Sequence, residues 1–183
     1  MCARNAGDVY PSASDARRTS SSTTGEGMNN IMIRFAKATC ADAQQLTDVQ
    51  IKTFDDDSRK FFGKPNGGPP GYDSVKFQLD MMEQGIYYKI LDEDAIIGGI
   101  IIFRLKNGHY NLGRIWVDPD YQSRGVGTKA INFLENEYPD AQVWNLDTPM
   151  LATRNHYFYE KLGYVRTGDD GVDQYLYEKK MAQ

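Results

Sequence analysis

A chain of 183 residues has the length of one domain, so one hydrophobic core with one main site is the expectation. Hydrophobic residues at 40% and charged residues at 25% exclude collagen-like, wholly disordered and coiled-coil architectures. The net charge of −4, with Lys and Arg scattered, offers no concentrated basic surface and argues against nucleic acid as a partner. An acidic protein draws cationic substrates from a distance, although salt at cellular strength screens that pull beyond roughly 8 Å.

Residues 1–27 are rich in Ser, Thr, Ala, Gly and Arg and carry almost no hydrophobic periodicity. They read as a disordered or non-native leader ahead of a domain over 28–183. They lack the apolar stretch of a secretory signal, and Asp8, Asp15 and Glu26 argue against a transit peptide. The ordered pattern opens with Ile31-Met32-Ile33-Arg34-Phe35, a short strand. Thr39-Cys40-Ala41-Asp42 then resembles a capping box with Asp in place of Glu. In the helix that follows, Ala43, Leu46, Val49, Gln50 and Phe54 form one stripe. Residues 55–71 break that pattern. Asp55-Asp56-Asp57 reads as a solvated helix end, and Gly67-Gly68-Pro69-Pro70-Gly71 is too rich in Gly and Pro for regular structure.

Asp73 or Ser74 can cap a second helix, in which Val75, Leu79 and Met82 share a face and which Gly85 ends. Strands are expected over 86–91 and 95–105. The aliphatic run 95–103 is strand-sized, far short of the roughly 20 apolar residues of a membrane helix. Asn107-Gly108 is a strong hairpin signal because both residues accept positive φ, so residues 109–117 return antiparallel. A polar turn leads to a helix from Gly125, with Val126, Ala130, Phe133 and Leu134 on one stripe and Pro139 past its end. A strand over 142–146, a helix over 153–162 stopped by Gly163, and closing strands over 164–166 and 174–177 complete a mixed α/β sheet.

The two cysteines, Cys2 and Cys40, lack the spacing of a zinc site or a redox dithiol. With only His109 and His156 besides, no metal is expected, and a reducing cytoplasm is the expected location.

The chemistry is carried by Gln122-Ser123-Arg124-Gly125-Val126-Gly127-Thr128, set between a strand and an amphipathic helix. The first N–H groups of a helix have no intrahelical partner, and the helix dipole adds about half a positive charge there. Gly125 and Gly127 leave those amides open to a bulky pyrophosphate, and Arg124 and Thr128 can add donors. The same residues formally fit a dinucleotide fingerprint, Gly125-x-Gly127-x-x-Ala130 with Asp147 downstream. That reading is set aside because seven residues, Pro119 among them, separate Val117 from Gly125.

With its entry through Ile115-Trp116-Val117-Asp118-Pro119, this Gln-x-x-Gly-x-Gly segment resembles the acetyl-coenzyme A signature of the GNAT superfamily of N-acetyltransferases. Phe158-Tyr159-Glu160-Lys161-Leu162-Gly163-Tyr164 resembles the second signature of that family, and the likeness spans roughly residues 30 to 180. It implies a mostly antiparallel α/β sheet with a bulged fourth strand splayed from the fifth, flanked by about four helices. The implied cosubstrate is acetyl-CoA. Ile115, Trp116 and Val117 would offer backbone groups to the pantetheine, residues 122–128 would hold the pyrophosphate, and Asn155 and Tyr159 would face the thioester. Tyr159 is the implied general acid, protonating the departing thiolate, with Tyr157 and Tyr164 left to packing and His156 to an exposed helical surface. In the family the segment between the first two helices often covers the acceptor cleft, which gives residues 63–71 a gating role.

Two positions depart from the family pattern. Gly113 stands where many relatives carry a strand glutamate, leaving Asp147, His109 or Tyr110 to act as base through water. Ala152 stands where many carry an asparagine. Neither cysteine lies in a signature segment, so the implied reaction is direct transfer to a primary amine in a ternary complex. A non-catalytic acyl-CoA sensor or docking module is the alternative. The acceptor, a small molecule or a peptide amine, is open, and exposed edge strands leave room for a homodimer.

Overall fold

The computed structural model describes residues 32–182, so the reading of residues 1–27 as a leader lies outside the described residues. Strand β1 (Ile33–Lys37) leads into a short 3-10 turn, where the Asp42 carboxylate accepts from both the N–H and the hydroxyl of Thr39 at 2.8 Å, the expected cap. Helix α1 (Ala43–Asp57) follows and runs on through a wide π-type turn, Ser58–Phe62, that ends at Gly63 with φ of 64°. The helix is therefore longer than its apolar stripe suggests. Helix α2 (Val75–Gln84) starts where the Ser74 hydroxyl accepts from the Phe77 N–H.

Strands β2 (Ile86–Asp92), β3 (Ala95–Arg104) and β4 (His109–Val117) form an antiparallel meander. Asn107 and Gly108, with φ of 58° and 69°, close the β3–β4 turn as expected. Helix α3 (Val126–Glu137) crosses to β5 (Val143–Pro149), and α4 (Thr153–Lys161) leads to the hairpin β6 (Val165–Asp169) and β7 (Gln174–Lys180). The seven strands run in the order β1-β2-β3-β4-β5-β7-β6, and only β4 and β5 are parallel.

One face of the sheet packs on α1 and α2 through Leu46, Tyr87, Leu91, Ile101 and Trp116. The other packs on α3 and α4 through Ile90, Ile100, Leu112, Val126, Ala130, Leu134, Trp144, Leu146 and Tyr159. Each fully buried Leu, Ile or Val among them contributes about 1.5–3 kcal/mol, so the two layers clamp the sheet from both sides. Bare backbone at Gly99 makes room on the first face: a Cβ there would sit 2.3 Å from the Trp116 ring.

The face expected for α2 is corrected. Phe77, Met81 and Met82 pack on the sheet, Val75 and Leu79 do not, and the fully buried residue is Gln78, whose amide donates to Gln50 of α1 at 2.5 Å. The Tyr87 hydroxyl donates in turn to Gln78. Hydrogen bonding lets these two polar side chains lie in the core. Among the described residues, no helix is long and apolar enough to cross a membrane.

Candidate active site

Pairing between β4 and β5 is confined to His109↔Val143, Tyr110↔Trp144 and Asn111↔Asn145. Beyond it, residues 112–117 and 146–149 diverge, although β4 stays paired to β3 and β5 to β7. A one-residue register shift in the β3–β4 ladder, where Ile101 faces Arg114 and Ile102 faces Leu112, leaves Gly113 as an extra, unpaired residue. Such a bulge bends a strand and increases its twist, which turns the end of β4 away from β5. The sheet splits into a V at its centre.

A cavity of about 380 Å³ lies on the β4 side of this opening, against the start of α3 and one face of α4. It is lined by Ile115, Trp116, Val117, Gln122, Ser123, Gly125, Val126, Gly127, Thr128, Asn155 and Tyr159, all expected from the sequence. Arg124 is the exception: its side chain is exposed and its guanidinium lies over the Tyr121 ring, 5.7 Å from the centroid. Thr53, Phe54, Asp57 and Arg154 also line the cavity from outside the signature segments, and Lys161 lines it from within the second.

The loop before α3 has an anion-binding shape. Ser123 and Gly125 both take positive φ, 60° and 78°, and the first helical hydrogen bond runs from the Lys129 N–H to the Gly125 carbonyl. Among the described residues, no protein acceptor takes the N–H groups of residues 123–128. Turns of this sign alternation present successive amides to one concavity, and the helix dipole adds positive charge behind them.

Tyr159 sits one residue from Phe158, which packs 3.1 Å from where a Gly127 Cβ would lie. The phenol is 7% exposed and held among the rings of Phe158, Tyr164 and Tyr177. Its hydroxyl has no protein hydrogen-bond partner among the described residues although the ring lines the cavity. Burial, with the negative charge of Asp147 adding to it, pushes the phenol well above its ordinary range. Asn155, one turn earlier, donates to the Thr148 hydroxyl at 3.3 Å, which ties α4 to the open end of β5. His156 is not the free surface residue expected: its ring nitrogen lies 2.9 Å from the Pro149 carbonyl, and its ring packs on Tyr175 and Tyr177.

A chain of polar contacts runs along the wall of the cavity. Gln122 donates to the Val117 carbonyl at 3.0 Å and accepts from Arg154 at 2.7 Å, and Arg154 pairs with Asp57 at 2.9 Å. Asp57 is thus no solvated helix end; burial raises its carboxyl pKa while Arg154 opposes the shift. Asp55 accepts from the Gly67 N–H and the Tyr72 hydroxyl, and Asp56 pairs with Lys60. The three carboxylates anchor three different segments.

Residues 83–166 match the family model described as "Acetyltransferase (GNAT) domain". The chain is 27% identical over 154 residues to S-(2-succino)cysteine N-acetyltransferase of Bacillus subtilis (strain 168), covering 76% of this chain and 88% of that protein. It is 30% identical over 105 residues to the uncharacterised protein YrkN of the same organism, covering 56% of this chain and 57% of YrkN. Among solved structures, the PaiA N-acetyltransferase from Thermoplasma acidophilum in complex with coenzyme A superposes with a TM-score of 0.71 at 16% identity, over 82% of this chain and all of that one. Residues 83–166 thus carry the GNAT acetyltransferase domain of that model. Proteins of that family use acetyl-CoA as cosubstrate, and the split sheet is the fold of the solved relatives.

In this GNAT domain the face of the split opposite α3 and α4 carries Asn145 and Asp147 from β5, since Leu146 and Trp144 point into the other layer. Asn111 donates to Asn145 at 2.7 Å across the last paired rung. Asp147 stands at the open end, and desolvation together with the charge of Asp170 raises its carboxyl pKa. The other two expected bases lie elsewhere. Tyr110 is fully buried at the closed end with its hydroxyl on Asp140, and His109 begins the same strand. At about 3.3 Å per residue, both are well over 10 Å from the centre of the opening.

Gly113, which the resemblance sets against a strand glutamate, has a ring beside it. A Cβ on Gly113 would lie 2.6 Å from Cε2 of Phe103, whose ring occupies the space a side chain there would need. Gly113→Glu is therefore expected to lower stability by about 1–3 kcal/mol without raising turnover, as read by urea unfolding and thiol release. Among the described residues, no group of three or more His, Cys, Asp and Glu is arranged to hold a metal ion.

Proposed function

We propose that the protein transfers acetyl from acetyl-CoA to a primary amine by direct attack in a ternary complex, with Tyr159 as general acid. The observation that carries this reading is one cavity at the split that is lined both by residues of the unpartnered amide loop and by Tyr159 with its unpartnered hydroxyl. Acetyl-CoA supplies an activated acyl carbon and a thiolate leaving group. The amides of residues 123–128 bind its pyrophosphate, with Arg154 and Lys161 adding positive charge along the same wall. The unpaired edge at Ile115, Trp116 and Val117 holds the pantetheine arm, and Asn155 flanks Tyr159 on the same helical face.

The amine nitrogen bonds to the acyl carbon as the carbon–sulfur bond breaks. Asp147, exposed to water and of raised basicity, takes the ammonium proton through solvent, and the Tyr159 proton goes to the departing sulfur. Deprotonating an amine of pKa near 10.4 at pH 7 costs about 4–5 kcal/mol, which is why a base at this face matters. The cytoplasmic location and the homodimer expected from the sequence remain part of this reading; the edge strand β6, with Val165 66% exposed, offers a surface for a second copy.

Thiol release from acetyl-CoA with a panel of amines tests the proposal, and the panel includes polyamines, peptides, amino acids and S-(2-succino)cysteine, the compound in a relative's name. Turnover with at least one acceptor is expected. No turnover with any acceptor, together with tight acetyl-CoA binding that Tyr159→Phe leaves unchanged, overturns it in favour of the sensor. Acetyl-CoA at 100 times its dissociation constant should stabilise the fold by about 2.7 kcal/mol in thermal unfolding, whereas NAD should leave the transition in place.

A further inference from the structure

Arg114 follows the bulge of β4 and shares with Trp116 the face that packs on α1 and α2. Its guanidinium lies 4.5 Å from the centroid of the Phe77 ring and 5.8 Å from that of Phe54. Nη2 donates to the Pro70 carbonyl at 3.1 Å, beneath the Gly-Pro-rich segment between the two helices. Among the described residues, Nη1 is buried with no partner. Among the described residues no carboxylate pairs with this group; the titratable neighbour it feels is the Tyr87 phenol, and burial pulls its pKa down to about 10, still fully charged at neutral pH.

A half-buried cation without a counter-ion carries part of the desolvation penalty of a buried charge, so a fold that keeps one gains little stability from its charge. The guanidinium fork matches a carboxylate, two parallel N–H donors to two oxygens. Two further buried donors on the same face, Gln50 Nε2 and Trp116 Nε1, are also without partners. Phe54 links this group to the cavity, because its ring lies beneath Arg114 and also lines the opening, as does the next residue in the strand, Ile115. Asp147 projects from β5 on the same side of the sheet.

We infer that Arg114 is a carboxylate-binding residue of the acceptor site, and that the acceptor is an amine bearing a free carboxylate, as in an amino acid. The inference rests on the N-acetyltransferase reading above and narrows its substrate class. A carboxylate on Arg114 takes the unpartnered Nη1 and replaces or joins the Pro70 carbonyl on Nη2, while the amine of the same molecule reaches toward the split and Asp147. The net charge of −4 disfavours anionic acceptors at a distance, but screening limits that effect to roughly 8 Å and the guanidinium decides at contact.

The test compares amino acids with their own carboxamides and with the corresponding decarboxylated amines, by thiol release and by calorimetric titration into the protein saturated with coenzyme A. The carboxylates are expected to exceed the matched compounds in kcat/KM by about 10- to 100-fold, the range for losing a charge-assisted bond. Arg114→Gln should abolish that preference and leave the KM for acetyl-CoA unmoved, with Arg114→Lys intermediate because it keeps the charge and loses the fork. Equal use of carboxylates and carboxamides by the unmodified protein overturns the inference, as does a preference that survives Arg114→Gln. If no amine of any kind is acetylated, the transfer reading fails, and calorimetry still decides: carboxylate binding that Arg114→Gln removes upholds the subsite, and no such binding overturns it. Should the Gln variant not fold, the Lys variant and the matched pairs on the unmodified protein decide the matter.

Discussion

Tyr159→Phe is expected to lower kcat by about 100- to 1,000-fold while the KM for acetyl-CoA changes less than about twofold, within the range general acids contribute. The substitution is clean for a structural reason. The phenyl ring keeps its packing against Phe158, Tyr164 and Tyr177, at centroid distances of 5.1, 5.7 and 6.3 Å. The hydroxyl that is lost bonds to no described residue, so no buried partner is orphaned and stability should hold within about 0.5 kcal/mol. Thiol release and thermal unfolding on the same samples separate the two effects; a loss of rate that tracks a loss of stability would contradict the assigned role.

The pH profile carries the same assignment with a definite sign. Burial and the Asp147 charge raise the phenol pKa above its ordinary value of 10, so its acid form persists throughout the neutral range and beyond. No alkaline fall in rate from phenol ionisation is therefore expected below about pH 10. On the acid side the rate should fall as the acceptor amine stays protonated. Asp147 adds to that fall, because a raised carboxyl pKa means that its basic form is lost at a higher pH than an ordinary aspartate's 3.8.

How much of this is legible in the chain depends on how local each feature is. The Asn107-Gly108 turn is decided by two adjacent residues able to take φ of 58° and 69°, and the strand after it has the ends its sequence predicts, His109–Val117. The amide loop is equally local: two glycines, a strand before and a helix after are enough to expose N–H groups. The bulge and splay follow only from family resemblance, since one extra residue in a ladder leaves no mark on alternation. Asp57, Arg154 and Arg114 carry no signal because their meaning is tertiary. Asp57 and Arg154 are 97 residues apart and meet only in the fold. Gln78 shows the converse limit, for a buried amide satisfied by Gln50 and Tyr87 looks, in a hydrophobicity pattern, like a surface residue. His156 reads as exposed because nothing local reveals the Pro149 carbonyl seven residues upstream.

Trp144→Ala should destabilise the domain by about 3–5 kcal/mol, the usual cost of truncating a buried aromatic to alanine. Trp144 is 1% exposed and faces Tyr110 across the parallel rung that joins β4 to β5, with ring centroids 5.0 Å apart and Tyr138 at 6.1 Å. Only three residues on each strand pair there, so this aromatic cluster supplies much of the adhesion at the vertex of the V. For a domain of this size the loss corresponds to a fall in melting temperature of roughly 6–20 °C. Because the indole N–H has no hydrogen-bond partner among the described residues, the penalty is one of packing alone, and Trp144→Phe should recover much of it. The chemistry lies at the open end, so kcat for the folded fraction of Trp144→Phe should stay near that of the unmodified protein at low temperature. A large fall in kcat with stability retained would mean instead that the vertex sets the opening angle to which Tyr159 and the acyl carbon are matched.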